Sequence, residues 1–217
     1  MTTITVKPRL RGWLHAGALP VTLIAGFTLV ALGPTLQARL ASAIYAITSA
    51  LLFGISATYH RSTLGPRLAE VLRRVDHANI YLIIAGTYTP FALLALDGAA
   101  RVAVLGVTWG GALAGVLFRV LWMGAPRWLY TVLYLALGWT AIFVMPQLLQ
   151  GAGVAAVVLV AVGGVFYSAG AIVYGLRRPD PSPSWFGYHE VFHACTIAAY
   201  LVQYIAVSIV VYSAAGF

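Results

Sequence analysis

The chain has 217 residues, of which 61% are hydrophobic and 8% charged, with a formal net charge of +8. A mean hydropathy of +0.91 excludes a water-soluble core as the explanation and marks a membrane protein. The positive balance is absorbed by membrane anchoring, described next, so it gives no reason to expect nucleic acid; the single Cys195 excludes an internal disulfide and reads as a small packing residue.

Seven stretches are long enough to cross a hydrocarbon core about 30 Å thick, which takes roughly 20 apolar residues each. They lie near 18–36, 41–61, 76–96, 101–121, 128–148, 153–175 and 188–213. Their apolar runs are continuous rather than alternating, which speaks against a β-barrel. Basic residues before the first stretch and "ASA" at 41–43 imitate a signal peptide. Cleavage there would require a leader longer than the usual roughly 15 to 30 residues and would cut into the second stretch.

Lys7, Arg9, Arg11, Arg61, Arg67, Arg73, Arg74, Arg119, Arg127, Arg177 and Arg178 fall on one side of this arrangement, Arg39 and Arg101 on the other. The basic side is cytoplasmic by the positive-inside rule. The sequence therefore predicts an all-α, seven-transmembrane helix bundle with its N-terminus cytoplasmic and its C-terminus outside. Residues 1–217 read as a single integral membrane domain, multi-pass in the inner (plasma) membrane. Residues 62–75 ("STLGPRLAEVLRRV") fit either an amphipathic helix on the membrane surface or a solvated basic loop. Gly106, Gly110, Gly111 and Gly115 predict close approach of a neighbouring helix to the fourth span.

A charged or metal-binding side chain inside a membrane costs about 2.5 to 3.5 kcal/mol on insertion scales, so each needs a reason. Of five histidines, His15 falls in the basic N-terminal arm and reads as interfacial or solvated. The topology, derived from charges alone, brings the others to one depth. His60 ends the second span in "SATYHRS", Asp76 and His77 open the third in "VDHANIY", and His189 and His193 occupy the first two turns of the seventh. Imidazoles at i and i+4 share a helical face, and a third from another helix completes a three-histidine zinc site with an open position for water, the mark of catalytic zinc. Asp76 is placed to accept a proton from that water or orient it, and Ser56, one turn deeper than His60, to assist by hydrogen bonding. His77 points about 100° away from Asp76 around its helix and reads as an outer or interfacial residue. The competing reading is a set of interfacial histidines without metal.

"HEVFH" at 189–193 also matches the H-E-x-x-H helix of zinc proteases, in which the glutamate is the general base. The acidic third ligand such an enzyme needs is missing here, because Asp97 in "LDG" falls at the far end of the third span, about 30 Å away. Glu190 has an equally good explanation as an acidic residue in a helix's first turn.

"SATYH", "DHANIYLIIAGTYTP" and "HEVFH" together resemble the hemolysin III family, the bacterial branch of the progestin and adipoQ receptor (adiponectin receptor-like) superfamily. The resemblance covers nearly the whole chain and implies seven helices, a cytoplasmic N-terminus, and Zn2+ held by His60, His189 and His193, with Ser56 and Asp76 at the family's serine and aspartate positions. It also implies a reaction, since adiponectin receptors and alkaline ceramidases look like zinc-dependent lipid amidases. The expected function is thus a zinc-dependent hydrolase acting on a lipid amide or ester at the cytoplasmic leaflet, with membrane lipid as substrate. The alternative is a non-enzymatic receptor-like or membrane-perturbing protein whose zinc is structural.

Overall fold

The structure, a computed structural model, describes residues 8–214, so Lys7 and the C-terminal Phe217 lie outside the described residues. The helices are α1 (Trp13–Leu32), α2 (Leu36–Arg61), α3 (Pro66–Ala95), α4 (Gly98–Leu121), α5 (Arg127–Gly138), a 3-10 segment (Trp139–Val144), α6 (Met145–Leu176) and α7 (Tyr188–Ser213). Among the described residues there is no strand, only an isolated bridge between Ser182 and Phe186 in the α6–α7 connection. Six helical stretches are long and apolar enough to cross a membrane, the run Arg127–Leu176 counting as one of 50 residues.

The outside is as apolar as the inside. Phe143 is 84% exposed and Phe27 75%, whereas Ser42, Ser49, Thr89 and Thr108 are buried. That inversion suits a bundle in lipid, where helices gain little from hiding apolar side chains from one another and pack through small and polar residues. α3 is the central helix, packed against α2, α4, α5, α6 and α7. The main core runs through Leu29, Tyr45, Phe53, Phe91, Tyr200 and Val207.

Several boundaries differ from the hydropathy reading. α1 begins at Trp13, five residues earlier than the apolar run, and takes His15 into the bundle. Residues 66–75 form neither a separate surface helix nor a loop: they are the first ten residues of α3. Pro66 sits in its first turn, where a missing N–H costs nothing, and the leucine, arginine and glutamate that follow are good helix formers. Hydropathy misses this extension because its polar face is solvated. At the other end, Thr35 caps α2 by accepting from the Ala38 N–H at 3.1 Å.

The fifth and sixth apolar stretches are not separated by a loop. Helical structure continues from Arg127 to Leu176, interrupted at Gly153, whose φ of 79° and ψ of 168° break the helical path. Of the four glycines expected to admit a neighbour to α4, only two meet one. A Cβ on Gly111 would fall 2.6 Å from Leu137, and one on Gly115 would fall 2.4 Å from the Tyr81 ring, while Gly106 and Gly110 face open space. Cys195 is a free, half-buried thiol.

Candidate metal centre

Three helices end or begin at one corner of the bundle. His60 occupies the last turn of α2, Asp76 the third turn of α3, and His189 and His193 the first two turns of α7. One ligand atom from each of His60, His189 and His193 lies within 4.8 Å of the other two. His189 Nε2 faces His60 Nε2 at 3.2 Å, and the ring centroids of His189 and His193 are 4.4 Å apart. His193 is buried, and its Nδ1 has no hydrogen-bond partner.

These side chains suit a divalent metal such as zinc. Ligands at roughly 2.0 to 2.1 Å in a tetrahedron stand about 3.3 to 3.4 Å from each other. The 3.2 Å gap between His189 and His60 is close to that edge. His193 Nδ1, buried in the same cluster, makes no hydrogen bond within the protein, which leaves that imidazole uncommitted to any other partner there.

Asp76 stands beside this set. Its Oδ2 is 3.7 Å from His60 Nε2, too long for a direct hydrogen bond, and the Ser56 hydroxyl acts on its carboxylate from α2. Asp97, by contrast, has a side chain 97% exposed and paired with Arg101, at the opposite end of α3. His77 is tied elsewhere: its Nδ1 meets the Arg73 carbonyl at 2.7 Å and its Nε2 the Tyr174 hydroxyl at 3.3 Å.

The histidine corner opens into a cavity of about 140 Å³ lined by His189, His193, Asp76 and Ser56. Along α3 the lining continues through Ile80, Ile84 and Phe91, all on one helical face. At 1.5 Å per residue the fifteen residues from Asp76 to Phe91 span about 22 Å. The cavity is therefore a long, narrow, largely apolar slot whose histidines and carboxylate mark one polar end, with single hydroxyls and Gln203 further along.

Glu190, the glutamate of "HEVFH", does not face the histidines' cavity. It is fully buried; its Oε2 accepts from the Gly187 N–H at 2.9 Å and caps α7, while its Oε1 accepts from Arg11 Nε. Both carboxylate oxygens are thus committed to structure, and the general-base role has no free oxygen to use.

The N-terminal arm is the part of the site that sequence reasoning missed. Instead of a solvated basic segment, residues 9–12 form a strap across the corner. Arg9 and Leu10 donate backbone N–H groups to the carbonyls of Ser184 and Trp185 at 3.0 and 3.1 Å, and Arg11 reaches Glu190. Gly12, at φ 80°, passes so close to α2 that a Cβ there would sit 2.7 Å from His60 Cβ, so both the backbone angle and the space demand glycine. His15 then follows in the first turn of α1, 2% exposed, which overturns the interfacial or solvated reading. The available signal was the apolar "WLHAGALP" around it, which extends the first helix backwards.

The fold and site together define a multi-pass helical membrane protein with a buried three-histidine cluster. A sequence model of the family described as Haemolysin-III related matches residues 4–204. The chain is 34% identical over 162 residues to the hemolysin-3 homolog of Bacillus subtilis (strain 168), covering 73% of this chain and 72% of that protein. It is 32% identical over 140 residues to hemolysin-3 of Bacillus cereus, the match spanning 64% of each. The chain belongs to the hemolysin III family.

Proposed function

We propose that the protein is a zinc-dependent integral membrane hydrolase that cleaves a lipid amide or ester at the cytoplasmic leaflet of the inner membrane. The observation that supports this reading is the slot itself: a three-histidine cluster, a carboxylate and a hydroxyl at the mouth of an apolar cavity long enough to take an acyl chain. In this reading His60, His189 and His193 hold zinc, which when bound supplies Lewis acidity towards a water and a carbonyl oxygen. Asp76 takes the proton of the attacking water at Oδ2, and Ser56 is placed to orient that carboxylate by donating its hydroxyl. The apolar walls align the acyl chain along α3 and exclude other water.

The same reading takes the protein to cross the membrane seven times. A straight helix of 50 residues would be about 75 Å long, more than twice a hydrocarbon core, and Gly153 divides the run Arg127–Leu176 into a fifth and a sixth crossing. An odd number of crossings with the basic ends inside leaves the C-terminus outside.

A second reading, a non-enzymatic membrane-perturbing protein with structural zinc, is favoured by one feature. α2 and α7 touch only sparsely, so a metal bridging His60 to His189 and His193 would staple two helices that otherwise barely meet. The experiment that separates the readings is turnover of N-acyl and O-acyl lipids by purified protein with and without Asp76→Asn. Hydrolysis lost in Asp76→Asn while zinc stays bound supports the enzyme; absence of turnover in metal-loaded wild type, or loss of zinc in the variant, favours the structural site.

A further inference from the structure

The chain contains five carboxylate side chains, and each is engaged. Glu70 pairs with Arg74, Asp97 with Arg101, and Glu190 with Arg11. Asp180 accepts the Tyr188 N–H, and Asp76 belongs to Ser56 and His60. No ion pair among the described residues includes Arg119, yet Arg119 is only 2% exposed. It lies in the last turn of α4, turned inward among tyrosines rather than outward to headgroups and water. An arginine cannot shed its charge on burial as a lysine or histidine can, so the interior of this bundle holds a cation without a protein counter-ion.

Its surroundings have the form of a receptor. The guanidinium lies over the Tyr130 ring, 4.3 Å from the centroid. A ring contact of this kind uses the face of the guanidinium and not its N–H groups. Nε and Nη1, which point to different sides of the group, are buried with no hydrogen-bond partner, and so is the Tyr81 hydroxyl. Tyr81 is held next to α4 by the absence of a side chain at Gly115, and it lies within electrostatic reach of Arg119. Arg127, at the start of α5, stacks on Tyr174 at 5.5 Å and also has a buried, unpartnered Nη1. Arg119 and Arg127 both act electrostatically on His77, which lines the slot at its histidine end.

We propose that Arg119, assisted by Arg127 and the Tyr81 hydroxyl, binds a phosphate group beside the polar end of the cavity, as the headgroup of a membrane lipid or as free phosphate. A tetrahedral oxyanion accepts from several directions at once, which suits the unpartnered N–H groups of Arg119 together with a second cation and a phenol carried by α4, α5 and α3. This site goes beyond the hydrolase reading and stands without it, because binding requires no turnover.

The test uses the full chain purified in an uncharged detergent, titrated separately with dioctanoyl phosphatidic acid, inorganic phosphate and dioctanoylglycerol. Wild type is expected to bind at least one phosphate-bearing probe about tenfold or more tightly than dioctanoylglycerol, on the scale of a charge-assisted hydrogen bond. Arg119→Gln should abolish that preference and Arg119→Lys keep part of it. Loss for phosphatidic acid alone assigns a lipid headgroup; loss for inorganic phosphate as well assigns a free-phosphate site. If Arg119→Gln does not give monodisperse protein, Arg127→Gln should still weaken the preference severalfold. Equal affinity of wild type for all three probes, or a preference unchanged in a folded variant, would overturn the site and leave Arg119 as a cation solvated by interior water.

Discussion

The imidazole of His15 lies flat against that of His193, centroids 3.7 Å apart and planes within 10°, and the Phe53 ring stands perpendicular to it at 5.0 Å. A residue from α1 thereby fixes the ring of a candidate metal ligand on α7. Such supporting contacts typically carry 10- to 100-fold in metal affinity. His15→Ala should weaken zinc binding by about tenfold in competition with a chromophoric chelator, and His15→Phe, which keeps a flat ring, should recover most of it. Unchanged affinity in His15→Ala would make the stack passive packing.

The metal assignment itself has a direct check. Elemental analysis of detergent-purified protein is expected to give one zinc per chain, and His189→Ala with His193→Ala should remove it. Stoichiometric metal persisting after His60 is replaced as well would move the site elsewhere.

Arg11, half-buried, pairs with the fully buried Glu190, so losing the arginine strands a buried carboxylate. Removing one partner of such a pair typically destabilises by about 3 to 5 kcal/mol. Arg11→Ala should therefore lower the thermal unfolding midpoint markedly, whereas Glu190→Gln keeps the cap on Gly187 through its amide oxygen and should retain zinc and any turnover. If Glu190→Gln instead abolished turnover in stable, metal-loaded protein, the glutamate would be a general base after all.

Orientation can be read with reporters. A fusion at the C-terminus, beyond Ser213 where α7 ends, should be active when the reporter works only outside the cytoplasm. Activity of a cytoplasm-dependent reporter at that position would reverse the topology drawn from the arginines.

Much of the corner around the histidines was legible because it depends on periodicity and charge. His189 and His193 share a face by the helical repeat, and the run of arginines at one set of helix ends puts His60 and Asp76 at the same depth. Hydropathy marks where a helix is in lipid, so it found the apolar part of α3 and missed the ten solvated residues that extend it. It gave no sign that the fifth and sixth stretches would be parted by a single non-helical residue, Gly153.

The sequence by itself determined that this is a helical membrane protein and which imidazoles a metal can draw together, since composition, spacing and charge asymmetry are properties of the chain. Only the tertiary structure decided what the N-terminal arm and Arg119 do. Arg11 meets Glu190 across 179 residues of sequence, His15 meets His193 from another helix, and Arg119 turns inward to Tyr130 rather than outward. Each of these depends on which faces of separate helices are pressed together, and no local pattern along the chain encodes that.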